Sequence, residues 1–94
     1  MTLDELNALP SSAAVEAFRS CCASTLWADV MDALRPFRSR SQLLVEARKA
    51  WGMLSDEDWR EAVVASDDPA ELLAAAEAQA ALTASRLEQL IADA

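Results

Sequence analysis

Apolar residues along this chain recur at steps of three and four, and no stretch alternates between apolar and polar in the manner of a strand. Breaks in that rhythm divide it into six helical segments, most with a start signal of their own. Thr2 with Glu5 fits a capping box for a first short helix, which Pro10 closes. Ser11 or Ser12 is placed to cap a second, whose apolar face is Val15, Phe18, Cys21 and Cys22. Ser24 caps a third, with Trp27, Val30, Met31 and Leu34 at i, i+3, i+4 and i+7; it stops at Arg35, because Pro36 disfavours the α conformation in the residue before it. Ser39 with Gln42 opens a fourth, whose face is Leu43, Ala47, Ala50, Trp51 and Leu54, with Gly52 marking its end. Ser55 with Asp58 opens the fifth, which carries Trp59, Ala62 and Val63.

The sixth start is the clearest. Asp68 can cap, Pro69 suits the first helical position and Glu71 completes the box. No breaker follows, so the pattern predicts a helix of about 25 residues, roughly 37 Å long. Its seam is Leu73, Ala76, Ala80, Thr83, Leu87 and Leu90. Five short helices can cover only part of that length, and the small residues in mid-seam admit a close neighbour. The expectation is an all-α, compact bundle of short helices plus one long C-terminal helix. It forms a single domain over residues 1–94 and a homodimer through the long helix.

Composition agrees with helix. The 94 residues are 53% hydrophobic with one glycine, and alanine and leucine dominate over β-branched and aromatic residues. Formal net charge is −8 and the pI is about 4.3, which repels phosphate backbones and anionic lipid heads and argues against nucleic-acid partners. No apolar run approaches a membrane span, and "MTLDELNALP" does not read as a signal peptide, so a cytoplasmic protein is expected.

Candidate chemistry is sparse. Cys21 and Cys22 are helix neighbours that point about 100° apart, so they cannot readily bridge. With no histidine and no other cysteine, neither a metal site nor a cofactor is expected. Trp27, Trp51 and Trp59 could line an aromatic pocket, although three apolar helix faces make core packing the default. Arg35, Arg38 and Arg40 around Pro36 and Phe37 form the one basic cluster, suited to a carboxylate or phosphate or, more plainly, to capping helix carbonyls. Trp27, Arg35, Phe37, Arg38, Trp51 and Trp59 are therefore the candidate residues for a small-molecule ligand. Asp56, Glu57, Asp58 and Glu61 read as a solvated face. Asp67 and Asp68 read as caps, or as weak candidates for proton transfer.

The order of motifs resembles the 2-oxo-4-hydroxy-4-carboxy-5-ureidoimidazoline (OHCU) decarboxylase family of urate catabolism. "LNALP" (Leu6–Pro10) is similar to its opening, and "CCASTLWADVMDALRPF" (Cys21–Phe37) to its Cys, Ser-x-x-Trp and Arg-Pro-Phe region. "LLVEARKAWGMLSDEDWREAV" (Leu43–Val63) resembles the helix pair that leads to its active site. "DDPAELLAAAEAQAALTASRLEQLIA" (Asp67–Ala92) resembles its last helix. Residues 1–66 thus look like the family's N-terminal part and 67–94 like its C-terminal helix.

The resemblance implies a catalytic histidine in an Ala-His-Pro triplet, and here that position reads Ala65-Ser66-Asp67. It also implies a long middle section with a Glu-Gln pair and an arginine, for which this chain has no counterpart. Decarboxylation leaves a carbanion or enolate that must be stabilised and reprotonated. Histidine can return that proton near neutrality; serine cannot. Three readings follow. The first is a shortened relative that has lost the reaction and acts as a small helical binding protein. The second is a repurposed lyase, cyclase or isomerase of specialised metabolism, its pocket rebuilt across a dimer. The third, least favoured, is an ordinary OHCU decarboxylase.

Overall fold

The computed structural model describes residues 1–63 and 68–92, and among these every regular element is helical. In chain order they are α1 (Leu3–Ala8), α2 (Ser11–Cys21), α3 (Thr25–Ala33), α4 (Arg40–Gly52), α5 (Asp56–Ala62) and α6 (Pro69–Leu90). The all-α architecture with one long C-terminal helix is as the pattern predicts. α6 has 22 residues, a little shorter than expected, in a body of 40 by 21 by 18 Å.

Local capping sets most boundaries. Thr2 and Glu5 exchange hydrogen bonds across the first turn of α1, and Ser55 and Asp58 do the same for α5. Ser24 accepts from the Trp27 amide, Ser39 from that of Gln42 and Asp68 from that of Ala70. The exception is α2. Neither Ser11 nor Ser12 caps it: Pro10 holds the cap position with no side-chain bond, and Ser11 is already helical. Pro10 lacks an amide and its restricted φ suits a helix start, so the turn forms one residue earlier than a serine cap would place it.

α2 packs on α3, while α6 lies against α2, α4 and α5. The core is built from Leu6, Phe18, Trp27, Met31, Leu43 and Leu87, all fully buried. Phe18 sits at its centre, with Trp27 edge-on at 5.9 Å and Phe37 edge-on at 6.4 Å. The Arg35–Pro36 peptide is cis, and the backbone beyond it is clamped by Asn7, which donates to the Phe37 carbonyl (2.8 Å) and accepts from its amide (2.9 Å). The last turn of α6 is met by positive groups: the Met1 amine donates to the Leu90 carbonyl and Arg40 to that of Glu88.

The long helix buries Leu72, Ala76, Thr83 and Leu87 against its own chain. The predicted seam is therefore displaced at its start: Leu72 is buried, whereas Leu73 is 50% exposed. Thr83 and Leu87 are buried as well. α2, α4 and α5 cover this face of α6.

Candidate functional site

The surface between α4 and α6 is a groove with an apolar floor. One part, about 270 Å3, is bounded by Leu44, Val45, Ala47, Ala81 and Ala84. The next, about 450 Å3, is bounded by Gly52, Trp59, Leu73, Ala76 and Glu77. Arg48, Trp51 and Ala80 border both, so the two are continuous.

Indole hydrogen bonds hold the walls together. Trp51 Nε1 donates to the Ala76 carbonyl (2.9 Å), tying α4 to α6. Trp59 Nε1 donates to the Trp51 carbonyl (2.9 Å), and the two rings stack at 6.1 Å and 29°. Each ring thus meets its polar requirement at a backbone carbonyl while its apolar face lines or supports the groove. Buried polar groups elsewhere are also satisfied: among the described residues no buried side-chain nitrogen or oxygen lacks a partner.

α5 has no buried residue and depends on tertiary ties. Besides Trp59, its anchor is Glu61. That carboxylate accepts from the Thr25 amide (2.7 Å) and the Thr25 hydroxyl (2.8 Å) at the start of α3. These two hydrogen bonds, the amide's first and with help from the Arg19 charge, hold the Glu61 carboxyl below its ordinary value. A carboxyl depressed on folding adds stability above its unfolded pKa and loses it as pH falls through the folded value. The α5 docking is therefore expected to weaken below pH about 4.5. Trp fluorescence followed across an acid titration checks this. Glu61→Gln should show the weakened docking already at pH 7 and a flatter acid response; an unchanged titration would count against the clasp.

The six candidate ligand residues do not converge. Trp51 and Trp59 lie together in the groove. Trp27 is fully buried behind it, where its Nε1 donates to the Ala47 carbonyl (3.1 Å). Phe37 is buried against Phe18. Arg35 points at the end of α1, donating to the carbonyls of Leu6, Asn7 and Leu9 and pairing with Asp32. Arg38 is exposed, its amide donating to Gln42 Oε1. Asp68 is an exposed helix cap, and Ser66 and Asp67 lie outside the described residues.

Cys21 and Cys22 are free and buried where α2 gives way to α3, and burial pushes both thiols up. Sequence reasoning missed Arg48, Leu73, Glu77 and Ala80 as groove residues. Arg48 stands one turn before Trp51, and Glu77 one turn after Leu73. Only knowledge that α4 lies beside α6 would have joined the two pairs.

The class this defines is a small all-α domain carrying an open, indole-lined groove on a histidine-free chain. The chain belongs to the OHCU decarboxylase family, whose model matches residues 7–93. No curated protein and no solved structure matches it. None of the described helices is long and apolar enough to cross a membrane.

Proposed function

We propose that this chain is a shortened family member that has lost the parent decarboxylation and works as a small helical binding protein, with the α4–α6 groove as its contact surface. The observation that carries this reading is the proton chemistry of the groove. The chain contains no histidine, and the ionisable side chains on the groove are Arg48 and Glu77. Reprotonating a carbanion at neutral pH calls for a donor that titrates near neutrality, held within hydrogen-bond reach of the reacting carbon. Arginine does not release its proton. Serine, which the resemblance places at the histidine position, is too weak an acid to serve as that donor at neutral pH.

The division of apolar surface supports a binding role. Phe18, Trp27, Phe37 and Met31 fill the interior, while Val45 and Leu73 remain about half exposed beside the groove. A reaction chamber encloses most of its substrate; this groove is open to solvent. In this reading residues 1–66 keep the family's N-terminal frame, and residues 67–94 bring the last helix directly against it.

The test is to supply the purified protein with the ureidoimidazoline substrate of the family and measure carbon dioxide release. No release above the uncatalysed rate is expected. Release at enzymatic rates would overturn the reading.

A further inference from the structure

We infer that the Trp59 end of the α4–α6 groove is a site for a small zwitterion, an α-amino acid with an aromatic side chain, its carboxylate on Arg48 and its ammonium on Glu77. This rests on reading the groove as a binding surface and names the ligand. The first observation is charge. The chain carries 16 acidic and 8 basic side chains, yet this part of the groove has one of each, Arg48 on α4 and Glu77 on α6. Charged neighbours on a helix pair at steps of three and four, and every such position around Arg48 and Glu77 is apolar or glycine. Among the described residues neither side chain has a hydrogen bond or an ion pair. The two do not close on each other, so the space between them stays open to a ligand that carries both signs. A plain anion on Arg48 would face the Glu77 carboxylate, and a plain amine on Glu77 would face the guanidinium. A zwitterion turns both contacts into attractions. The forked donors of arginine match a carboxylate, and the Glu77 oxygens accept from an ammonium.

The second observation is the size and lining of the space. At about 450 Å3 it falls within the range of roughly 300–1,000 Å3 usual for small-ligand sites. Its aromatic walls offer no spare donor, because both indole N–H groups are already given to the Ala76 and Trp51 carbonyls. What lies between the charges is therefore apolar: the half-buried Trp59 ring, the half-exposed Leu73, and the methyl groups of Ala76 and Ala80. Alanine leaves the room that a ring takes up, and an aromatic ring packs offset or edge-on against indole. The stack of Trp59 on Trp51 holds that wall in place. Charge thus selects the two ends of the ligand and the indoles select its side chain.

Titration of the full chain at pH 7 with L-phenylalanine, phenethylamine and hydrocinnamate tests the inference, read by heteronuclear NMR of the tryptophan indole N–H groups. The three probes share a ring; phenethylamine lacks the carboxylate and hydrocinnamate the ammonium. L-Phenylalanine should shift the Trp51 and Trp59 signals and leave that of Trp27, fully buried in the core, in place. Its dissociation constant should be about 1 mM, in keeping with a small ligand in an open groove. It should bind about fivefold or more tighter than either of the other two. L-Alanine, which has no ring, should leave all the indoles unmoved. Arg48→Met should abolish the preference over phenethylamine and keep that over hydrocinnamate, and Glu77→Gln should do the reverse. Both positions are exposed, so neither change should alter the helical circular dichroism signal. Equal affinity for the three probes overturns the inference, as does a preference that neither substitution moves. Unmoved Trp51 and Trp59 signals at about 10 mM L-phenylalanine also overturn it and leave the groove to a macromolecular partner. Carbon dioxide release bears on the lost reaction and the indole shifts on the ligand, so either can fail without the other.

Discussion

Trp27→Ala should lower the unfolding midpoint by about 15 °C or more, the largest single effect expected in this protein. Trp27 is fully buried, edge-on to Phe18, with its Nε1 donating to the Ala47 carbonyl. Truncating a buried tryptophan removes its transfer free energy and leaves a cavity, together about 3–5 kcal/mol. A domain of this length is held by roughly 5–14 kcal/mol in all, and each 1 kcal/mol shifts its melting temperature by about 4–8 °C. The interior cannot collapse readily around the gap, because Phe18 is already committed to Phe37 on another side. Trp27→Phe should cost less than half as much, since most of the buried area survives. Urea and thermal melts by circular dichroism check both, and a shift under 5 °C for Trp27→Ala would show that Trp27 is not a keystone of this core.

Arg35→Ala comes next, at about 2–4 kcal/mol. Its guanidinium is only 10% exposed and links α3 to the end of α1, taking the Leu6 and Leu9 carbonyls at 2.9 and 2.7 Å and pairing with Asp32. α1 has six residues and is too short to persist by propensity alone, so its carbonyls need an external donor. Removing the guanidinium strands the Leu9 carbonyl, leaves that of Leu6 with only the Leu9 amide, and leaves the Asp32 carboxylate, 18% exposed, without its cation. Arg35→Lys should recover only part of the loss, because an ammonium cannot fork between a carboxylate and a helix end. Removing both charges, in Arg35→Met with Asp32→Leu, should cost less than Arg35→Ala alone. Amide exchange across residues 3–9 should accelerate first. Full protection there in Arg35→Ala would contradict the anchoring role.

These two residues also show where sequence reading stops. Both were ligand candidates, and both are occupied by the fold: Trp27 with the core, Arg35 with the carbonyls of a helix 26 to 29 positions earlier. The plainer alternative at Arg35, an arginine capping helix carbonyls, is the geometry observed. What a residue type can do is written in the chain, but whether its hydrogen-bonding capacity is already used is not.

The helices themselves were legible because their signals are local. Capping by Thr2, Ser24, Ser39, Ser55 and Asp68 acts within three residues, and apolar spacing within four. The family was legible for a similar reason, since its motifs lie in short blocks in order. Sequence alone also determined that no histidine is present to return a proton. Tertiary structure decided which of Leu72 and Leu73 turns inward, since a rotation of 100° around α6 separates them and only the position of α2, α4 and α5 selects one. It likewise decided that Trp51 and Trp59 share a groove while Trp27 does not, and that Arg48 faces the same space as Glu77, 29 residues further along. Those pairings are distances between helices packed side by side, which no rule acting within four residues of chain can reach.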